Sequence, residues 1–418
     1  MAQLSDDCFA FGGPMRTVEE TVALLVSRLS PIDGVETVAL AEADGRVLAA
    51  DLSAPLPLPP FTNSAVDGYA IRGEDLPGDT PRAFAVADRV QAGASADHAV
   101  RSGTCVRIFT GAPMPAGTDT VFMQEDVTLD DSGAAVLPPG LRRGANVRPA
   151  GEDVASGSPV LAAGRRLRPQ DVGLLAALGM PEVAVRRRLR VAVLSTGNEI
   201  VEPGQARGPA QLNDSNRFML AAMLRRLGCS VTDLGILADD LDAIGRALIE
   251  AATGHDLILT SGGVSTGEAD FVRTAIERAG TLVFWRVAIK PGRPVAMGVV
   301  RGTPFIGLPG NPVASFVTFA TIARPAILAL SGAGPEAASA MPVRAAFAYR
   351  KKAGRREFVR VVLRSTPDGL FEAEKFPREG AGLLSSLVDT DGLVELPEDS
   401  GGVSPGDVVA FRPFNSLF

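Results

Sequence analysis

Leu189-Arg190-Val191-Ala192-Val193-Leu194-Ser195-Thr196-Gly197 and, further on, Asp256-Leu257-Ile258-Leu259-Thr260-Ser261-Gly262-Gly263 follow one plan: a short apolar run, then hydroxyl residues, then glycine. Unbroken apolar runs of that length read as strands buried on both faces of a parallel sheet, and the glycines after them free the backbone for a loop. Around these strands the helical pattern recurs over Asp214 to Leu227, closed by Gly228, over Leu241 to Ala252, over Glu268 to Ala279 and over Pro312 to Leu330. Further strands are predicted at Val231 to Ile236, Leu282 to Ala288, Val295 to Val300 and Phe305 to Leu308. Such alternation predicts an α/β unit over residues 186–333, a mostly parallel sheet with helices on both faces, whose ligands bind beyond the carboxyl ends of the strands.

Upstream, Thr17 and Glu20 form a capping box for a helix carrying Val18, Val22, Leu25 and Leu29 on one face, stopped by Pro31. The run Ala54 to Pro60 is proline-rich and must be extended. It leads into short strand signals at Tyr69 to Arg72, Ala83 to Val90, Cys105 to Thr110 and Thr120 to Asp126, a small β domain over 55–148. Pro169 to Leu178, with proline in its first turn and Gly179 after it, reads as a helix, so 1–54 and 149–185 are expected to form one helical, linking domain into which the β unit is inserted. After about Pro335 only short alternating runs remain, including Glu357 to Leu363 and Val408 to Phe411, and residues 334–418 are expected to form a small β-barrel-like domain. A chain of 418 residues is long enough for several such cores.

Composition narrows the function classes. The net charge of −7 argues against coating nucleic acid, and the basic clusters Arg165 to Arg168 and Arg186 to Arg190 lack interleaved aromatics. Two histidines and three scattered cysteines leave no Cys/His zinc site and no disulfide framework, which fits a reducing compartment. Asp6 and Asp7 stand where a signal peptide needs basic residues, and the most apolar stretch, Phe319 to Leu330, is interrupted by Arg324 and Pro325. A cytoplasmic protein without a membrane span is expected.

Three Gly-rich loops gather the chemistry: Ser195-Thr196-Gly197-Asn198-Glu199, Thr260 to Glu268 with Ser261, Gly262, Gly263 and Ser265, and Gly307 to Pro312 with Pro309, Gly310 and Asn311. Glycines admit a ligand close to the backbone, and free amides at helix starts favour anions. One such loop is ordinary in a doubly wound sheet; three at one edge suggest phosphate or oxyanion cradles. Neither the Rossmann nor the Walker pattern is present. Glu199, Asp239, Asp240, Glu268 and Asp270 accompany the loops as hard oxygen donors suited to Mg²⁺, with helix capping the alternative for Asp240 and Glu268. If Trp285 to Ile289 is a strand, Arg286 and Lys290 share a face, and Arg293 adds a cation beside them. Asn63 to Ala70, with Asp67, Thr110 to Pro113, and Arg148 to Asp153 read as polar turns or as pieces of a site. Arg355, Arg356 and Arg360 are candidates for a phosphate-facing rim.

Taken in order, Asn63 to Ala70, Thr110 to Pro115, Arg148 to Asp153, Ser195 to Glu199, Thr260 to Asp270, Ile289 to Pro294, Gly307 to Pro312 and the terminal Pro413 to Phe418 resemble the bacterial molybdopterin molybdenumtransferases and the E domain of gephyrin. The resemblance implies an elongated homodimer of four-part subunits whose α/β part also occurs as a separate molybdopterin adenylyltransferase. It implies a reaction that takes adenylylated molybdopterin and molybdate, releases AMP, and leaves molybdenum on the dithiolene sulfurs, with delivery to apo-molybdoenzymes or their chaperones. On the same ground Asp67 is expected as a critical carboxylate, Glu199, Asp239 and Asp270 around Mg²⁺ and the pterin phosphates, and Arg286 and Lys290 as anion anchors, with Thr110, Asp153 and Arg360 lining the cleft. This chain has Thr62 and Asn198 where the family usually has Asp, Arg293 where it often has Lys, and Ala381 near where some members have Ser. Two other readings stand beside the transferase: a non-catalytic molybdopterin carrier or scaffold, and an adenylyltransferase, for which residues 1–185 would lack a purpose.

Overall fold

The computed structural model describes residues 15–95, 98–263, 271–336 and 339–418, with only the backbone of Phe284, Trp285, Arg286 and Pro294. In the α/β unit a six-stranded sheet runs, from one edge, Ser230–Leu237, Arg190–Thr196, Leu257–Ser261, Thr303–Leu308, Pro294–Val300, Gly280–Arg286. The first four strands pair in parallel, and Pro294–Val300 pairs antiparallel with both of its neighbours, so the sheet is mixed. Alternation along Arg190–Thr196 sends Val191 and Val193 into one core, with Leu220, Leu224 and Ile306, and Ala192 and Leu194 into another, with Ile244, Leu248 and Phe305. Helices therefore cover both faces, as the alternation predicts. Asp240 caps Leu241–Gly254, its side chain accepting the Ala243 N–H at 2.7 Å.

The apolar stretch Pro312–Leu330 is the helical spine of the first core, 83% buried over its most apolar window. It opens on Pro312, passes through a π turn at Phe319–Ala323, and continues as Arg324–Leu330 with Pro325 in its first turn. Proline has no N–H to donate and its ring crowds the preceding turn, which accounts for the widened turn before it. The chain end seats here too: Phe414 and Phe418 meet Phe316 edge-on at 5.2 and 5.6 Å.

The helix Val18–Val26 has its capping box, Glu20 N–H to Thr17 Oγ1 at 3.1 Å and Thr17 N–H to Glu20 Oε2 at 3.0 Å. It differs from the expected helical domain in its packing, because Val18 and Leu25 join the spine's core rather than residues 149–185. What residues 35–54 share with 159–186 is mainly β pairing: Val35–Ala39 with Glu182–Arg186 and Leu52–Ser53 with Pro159–Leu161, around Leu48, Leu167 and Leu175. Between these halves lies a six-stranded sheet, Thr120–Met123, Gly68–Ile71, Thr104–Ile108, Arg82–Val90, Ala135–Leu137, Thr128–Leu129.

The last region closes on itself. Arg356–Ser365 pairs through one half with Gly392–Leu396 and through the other with Phe371–Lys375, and Met341–Ala345 and Val408–Pro413 complete a five-stranded barrel. Ile289–Lys290, from the α/β unit, adds to this barrel in parallel with Arg356–Glu357. Phe358 and Leu393 of the barrel lie in the same core as the spine.

Candidate active site

A cleft of about 680 Å³ opens between the carboxyl ends of the α/β strands and the barrel, a size that suits a small-molecule site. Its α/β wall is made by Glu199, Gly262, Gly263, Pro309, Gly310 and Asn311. Gly262 and Gly263 both have positive φ, +87° and +64°, and a Cβ on Gly263 would lie 2.4 Å from Val272 Cγ2 and 2.6 Å from Thr196 Oγ1. Only glycine lets that loop lie flat against its own sheet. The Gly262 N–H is tied to Leu308 O at 3.1 Å, and Asn216, 7% exposed, donates through Nδ2 to both Ser261 Oγ and Gly310 O at 2.7 Å. Asn216 thus joins the second and third loops. Sequence reading missed it, although its place at the start of the helix Asn216–Arg226 was open to view.

Beneath the loops Ser195 Oγ, Thr196 Oγ1 and Thr260 Oγ1 are buried with no hydrogen-bond partner among the described residues. Buried hydroxyls without partners are uncommon, and these three end adjacent strands. Asn311 stands at the N-cap of Pro312–Thr318 but makes no side-chain cap, a departure from the expected cap that leaves its amide on the cleft wall.

The barrel wall is cationic: Arg360, Lys375 and Arg378 face the cleft, together with Lys290 from the added strand, and Tyr349 lies among them. Arg360 donates to Gly380 O and Ser386 Oγ, both at 2.8 Å, and burial pulls its guanidinium below the usual range. Lys290 donates to Tyr349 Oη at 2.9 Å and to Glu357 Oε2 at 3.2 Å. Burial alone would lower its ammonium, but those two bonds outweigh it and raise the pKa. Glu357, 1% exposed, would be raised by burial, yet bonds from Tyr349, Arg355 and Lys290 hold it below the ordinary carboxylate range. Of the suspected basic rim only Arg360 lines the cleft: Arg355 is spent on Glu357 at 2.7 Å, and Arg356 on Glu398, Glu395 and Glu19. Tyr349, Lys375, Arg378 and Glu357 went unread, since nothing local marks them.

Other expected residues fall elsewhere. The single strand imagined from Trp285 to Ile289 is broken: Gly280–Arg286 ends in the α/β sheet, and Lys290 belongs to the barrel's added strand, so Arg286 and Lys290 do not share one strand face. The Arg286 side chain, like Ser265, Glu268 and Asp270, lies outside the described residues. Arg293 is exposed and donates to Met15 Sδ at 3.2 Å. Asp239 accepts the Asn198 N–H at 3.1 Å, a loop-to-loop bond, and is not among the cleft residues. No group of three His, Cys, Asp or Glu is placed to hold a metal among the described residues. Asp67 accepts from both the N–H and the hydroxyl of Thr110, at 2.8 and 2.7 Å, which lowers its pKa; the pair lies in the inserted sheet, not in the cleft. Asp153 bonds through its N–H to Leu58 O at 3.0 Å and lies outside the cleft as well.

Comparison with known proteins agrees with this architecture along its length. The chain matches the MoeA N-terminal region, domains I and II, over residues 16–179, the probable molybdopterin binding domain over 192–329, and the MoeA C-terminal region, domain IV, over 342–414. It is 39% identical over 407 residues to the molybdopterin molybdenumtransferase of Haemophilus influenzae, covering 96% of this chain and 100% of the relative. It is 36% identical to molybdopterin molybdenumtransferase 2 of Mycobacterium tuberculosis, covering 94% and 98%. The crystal structure of the molybdopterin biosynthesis moeA protein from Pyrococcus horikoshii superposes with a TM-score of 0.81 at 30% identity, over 96% of this chain and 100% of that one. With its sheet order, barrel and cleft alike accounted for, the chain belongs to the molybdopterin molybdenumtransferase family.

Proposed function

We propose that this chain inserts molybdenum into molybdopterin, taking adenylylated molybdopterin and molybdate and releasing AMP. The observation that carries the reading is the two-sided cleft, a backbone-lined wall opposite one bearing Lys290, Arg360, Lys375 and Arg378. A phosphoanhydride suits the first wall, where Gly262, Gly263 and Gly310 admit its oxygens close to the backbone. A compact oxyanion suits the second. In the balanced reaction water cleaves the phosphoanhydride, freeing AMP. As two Mo–S bonds form, one molybdate oxygen leaves as water with the two thiol protons.

Glu199 is the one described carboxylate on the α/β wall, and Gly197 leaves room for it, since a Cβ there would sit 2.3 Å from Glu199 Oε2. One hard oxygen donor beside a phosphate-bearing substrate fits Mg²⁺, which keeps waters and shares phosphate oxygens rather than filling a protein cage. When bound, the ion would neutralise charge on the phosphoanhydride. Glu199 would hold it, with Asp270 proposed as a further ligand.

We also propose a homodimer in which the second subunit brings Asp67 to the cleft. Asp67 accepts two bonds from Thr110 that lower its pKa, and it does not line the cleft between the α/β unit and the barrel. Light scattering at micromolar concentration tests the assembly, and a stable, active monomer overturns it. Asp67→Asn should fold normally and lose turnover, read by AMP release alongside a circular-dichroism melt. On this reading the substrate comes from a molybdopterin adenylyltransferase and the product goes to apo-molybdoenzymes or their chaperones in the cytoplasm, a reducing setting that agrees with the buried free thiols of Cys105 and Cys229.

The direct test mixes the protein with adenylylated molybdopterin and Mg²⁺ and follows AMP with and without molybdate, using an active transferase as control. Molybdate-dependent AMP release is expected. Binding without release would favour a scaffold and overturn the proposal.

A further inference from the structure

Tyr349 stands between two lysines drawn from different parts of the chain. Its hydroxyl accepts from Lys290 Nζ at 2.9 Å and donates to Glu357 Oε2 at 2.7 Å. Its ring lies 5.5 Å from the Nζ of Lys290 and 5.5 Å from the Nζ of Lys375, so both ammoniums are within cation–π range of one aromatic group. Behind it Glu357 is buried, with its second oxygen taking the Arg355 Nε–H at 2.7 Å. A lysine on a four-carbon stem is otherwise free to swing, and two like charges at one wall repel. The hydroxyl and carboxylate select one position for Lys290, while the ring accommodates Lys375, whose carboxylate partner Glu379 is exposed.

We propose that Tyr349 and Glu357 are positioning residues that hold Lys290, with Lys375 beside it, against the oxyanion substrate; this rests on the molybdenum-insertion reading above. Neither residue needs to touch the substrate. Their effect falls on molybdate, which has few atoms through which to be held, rather than on the pterin nucleotide, which has many.

The experiment uses the full chain and measures AMP release while each substrate is varied in turn. Tyr349→Phe removes both hydroxyl bonds, from Lys290 and to Glu357, and keeps the ring, and should raise KM for molybdate about three- to tenfold while changing KM for adenylylated molybdopterin less than about twofold. Tyr349→Leu, which also removes the face seen by Lys375, should raise it further. On a Lys290→Ala background the Tyr349→Phe effect should nearly vanish, because the group it positions is gone. Glu357→Gln should act in the same direction as Tyr349→Phe; its melt is recorded first, since it alters a buried charge, and Tyr349→Phe carries the test without it. The proposal is overturned if Tyr349→Phe raises both KM values equally, or if its effect simply adds to that of Lys290→Ala. Wild-type protein that releases no AMP in response to molybdate overturns the functional reading instead.

Discussion

On the α/β side the cleft is surfaced by residues with little side chain, Gly262, Gly263, Pro309 and Gly310, whereas on the barrel side it is surfaced by Tyr349, Arg360, Lys375 and Arg378. The first wall has its shape from backbone bonds and close approach, such as Gly262 N–H to Leu308 O at 3.1 Å. The second has its character from which cation meets which acid. A wall of backbone has no slack for added atoms; a wall of long side chains tolerates changes of size and responds to every change of charge. The same cleft therefore meets its ligand with a rigid half and an adjustable half.

The largest effect expected from breaking this contrast is Lys290→Ala. A cation facing a transferred oxyanion contributes on the order of 3 kcal/mol, or roughly a hundredfold in rate. The melt should move little, since Glu357 keeps Tyr349 and Arg355. An unchanged rate would move the oxyanion's anchor elsewhere. Next is Gly263→Ala, which drives a methyl into Val272 and should cost about 2–3 kcal/mol of stability by overpacking, read as a lowered denaturant midpoint. Val272→Ala should recover part of it, and full tolerance of the methyl would contradict a rigid wall.

Asn216→Ala removes two hydrogen bonds from the loops it joins and should cost about 2 kcal/mol, with KM for the pterin nucleotide rising and KM for molybdate little changed. The smallest effect is expected at Glu379→Gln on the barrel wall. The exposed pair with Lys375, at 2.7 Å, should contribute no more than about 1 kcal/mol. Lys375's hydrogen bond holds the Glu379 carboxyl below its ordinary 4.5, so that contribution is complete above pH 4.5 and fades as the pH falls through the lowered value. Melting curves of wild type and variant should differ slightly at neutral pH and converge in acid.

The two walls also differ in how far the sequence discloses them. Strand, hydroxyl and glycine stand side by side in Thr260-Ser261-Gly262-Gly263, so the α/β wall is written locally, and so are the Asp240 cap and the Pro312 start of two of its helices. The barrel wall depends on closure: Lys375 reaches Tyr349 only because Phe371–Lys375 pairs with Arg356–Ser365, a register that no short window contains. The basic run near Arg355 could be seen, but sorting Arg360 into the cleft and Arg356 onto Glu395 and Glu398 needed the strand Gly392–Leu396 and the turn after it. Period-two reasoning misled at Arg286 and Lys290 because the chain changes sheets between them.

That change of sheets bears on how members of such a family could exchange parts. Ile289–Lys290 is a barrel strand encoded inside the α/β unit, paired with Arg356–Glu357 and preceded by Ala288, whose O takes the Arg356 N–H at 2.7 Å. A chimera joined near residue 334, where the chain passes from one region to the next, would seat a foreign barrel against a resident strand and pair Lys290 with whatever the donor carries at Glu357. The portable segment is thus discontinuous: residues 289–290 must travel with the barrel, and recombination at a single crossover separates two halves of one cation site.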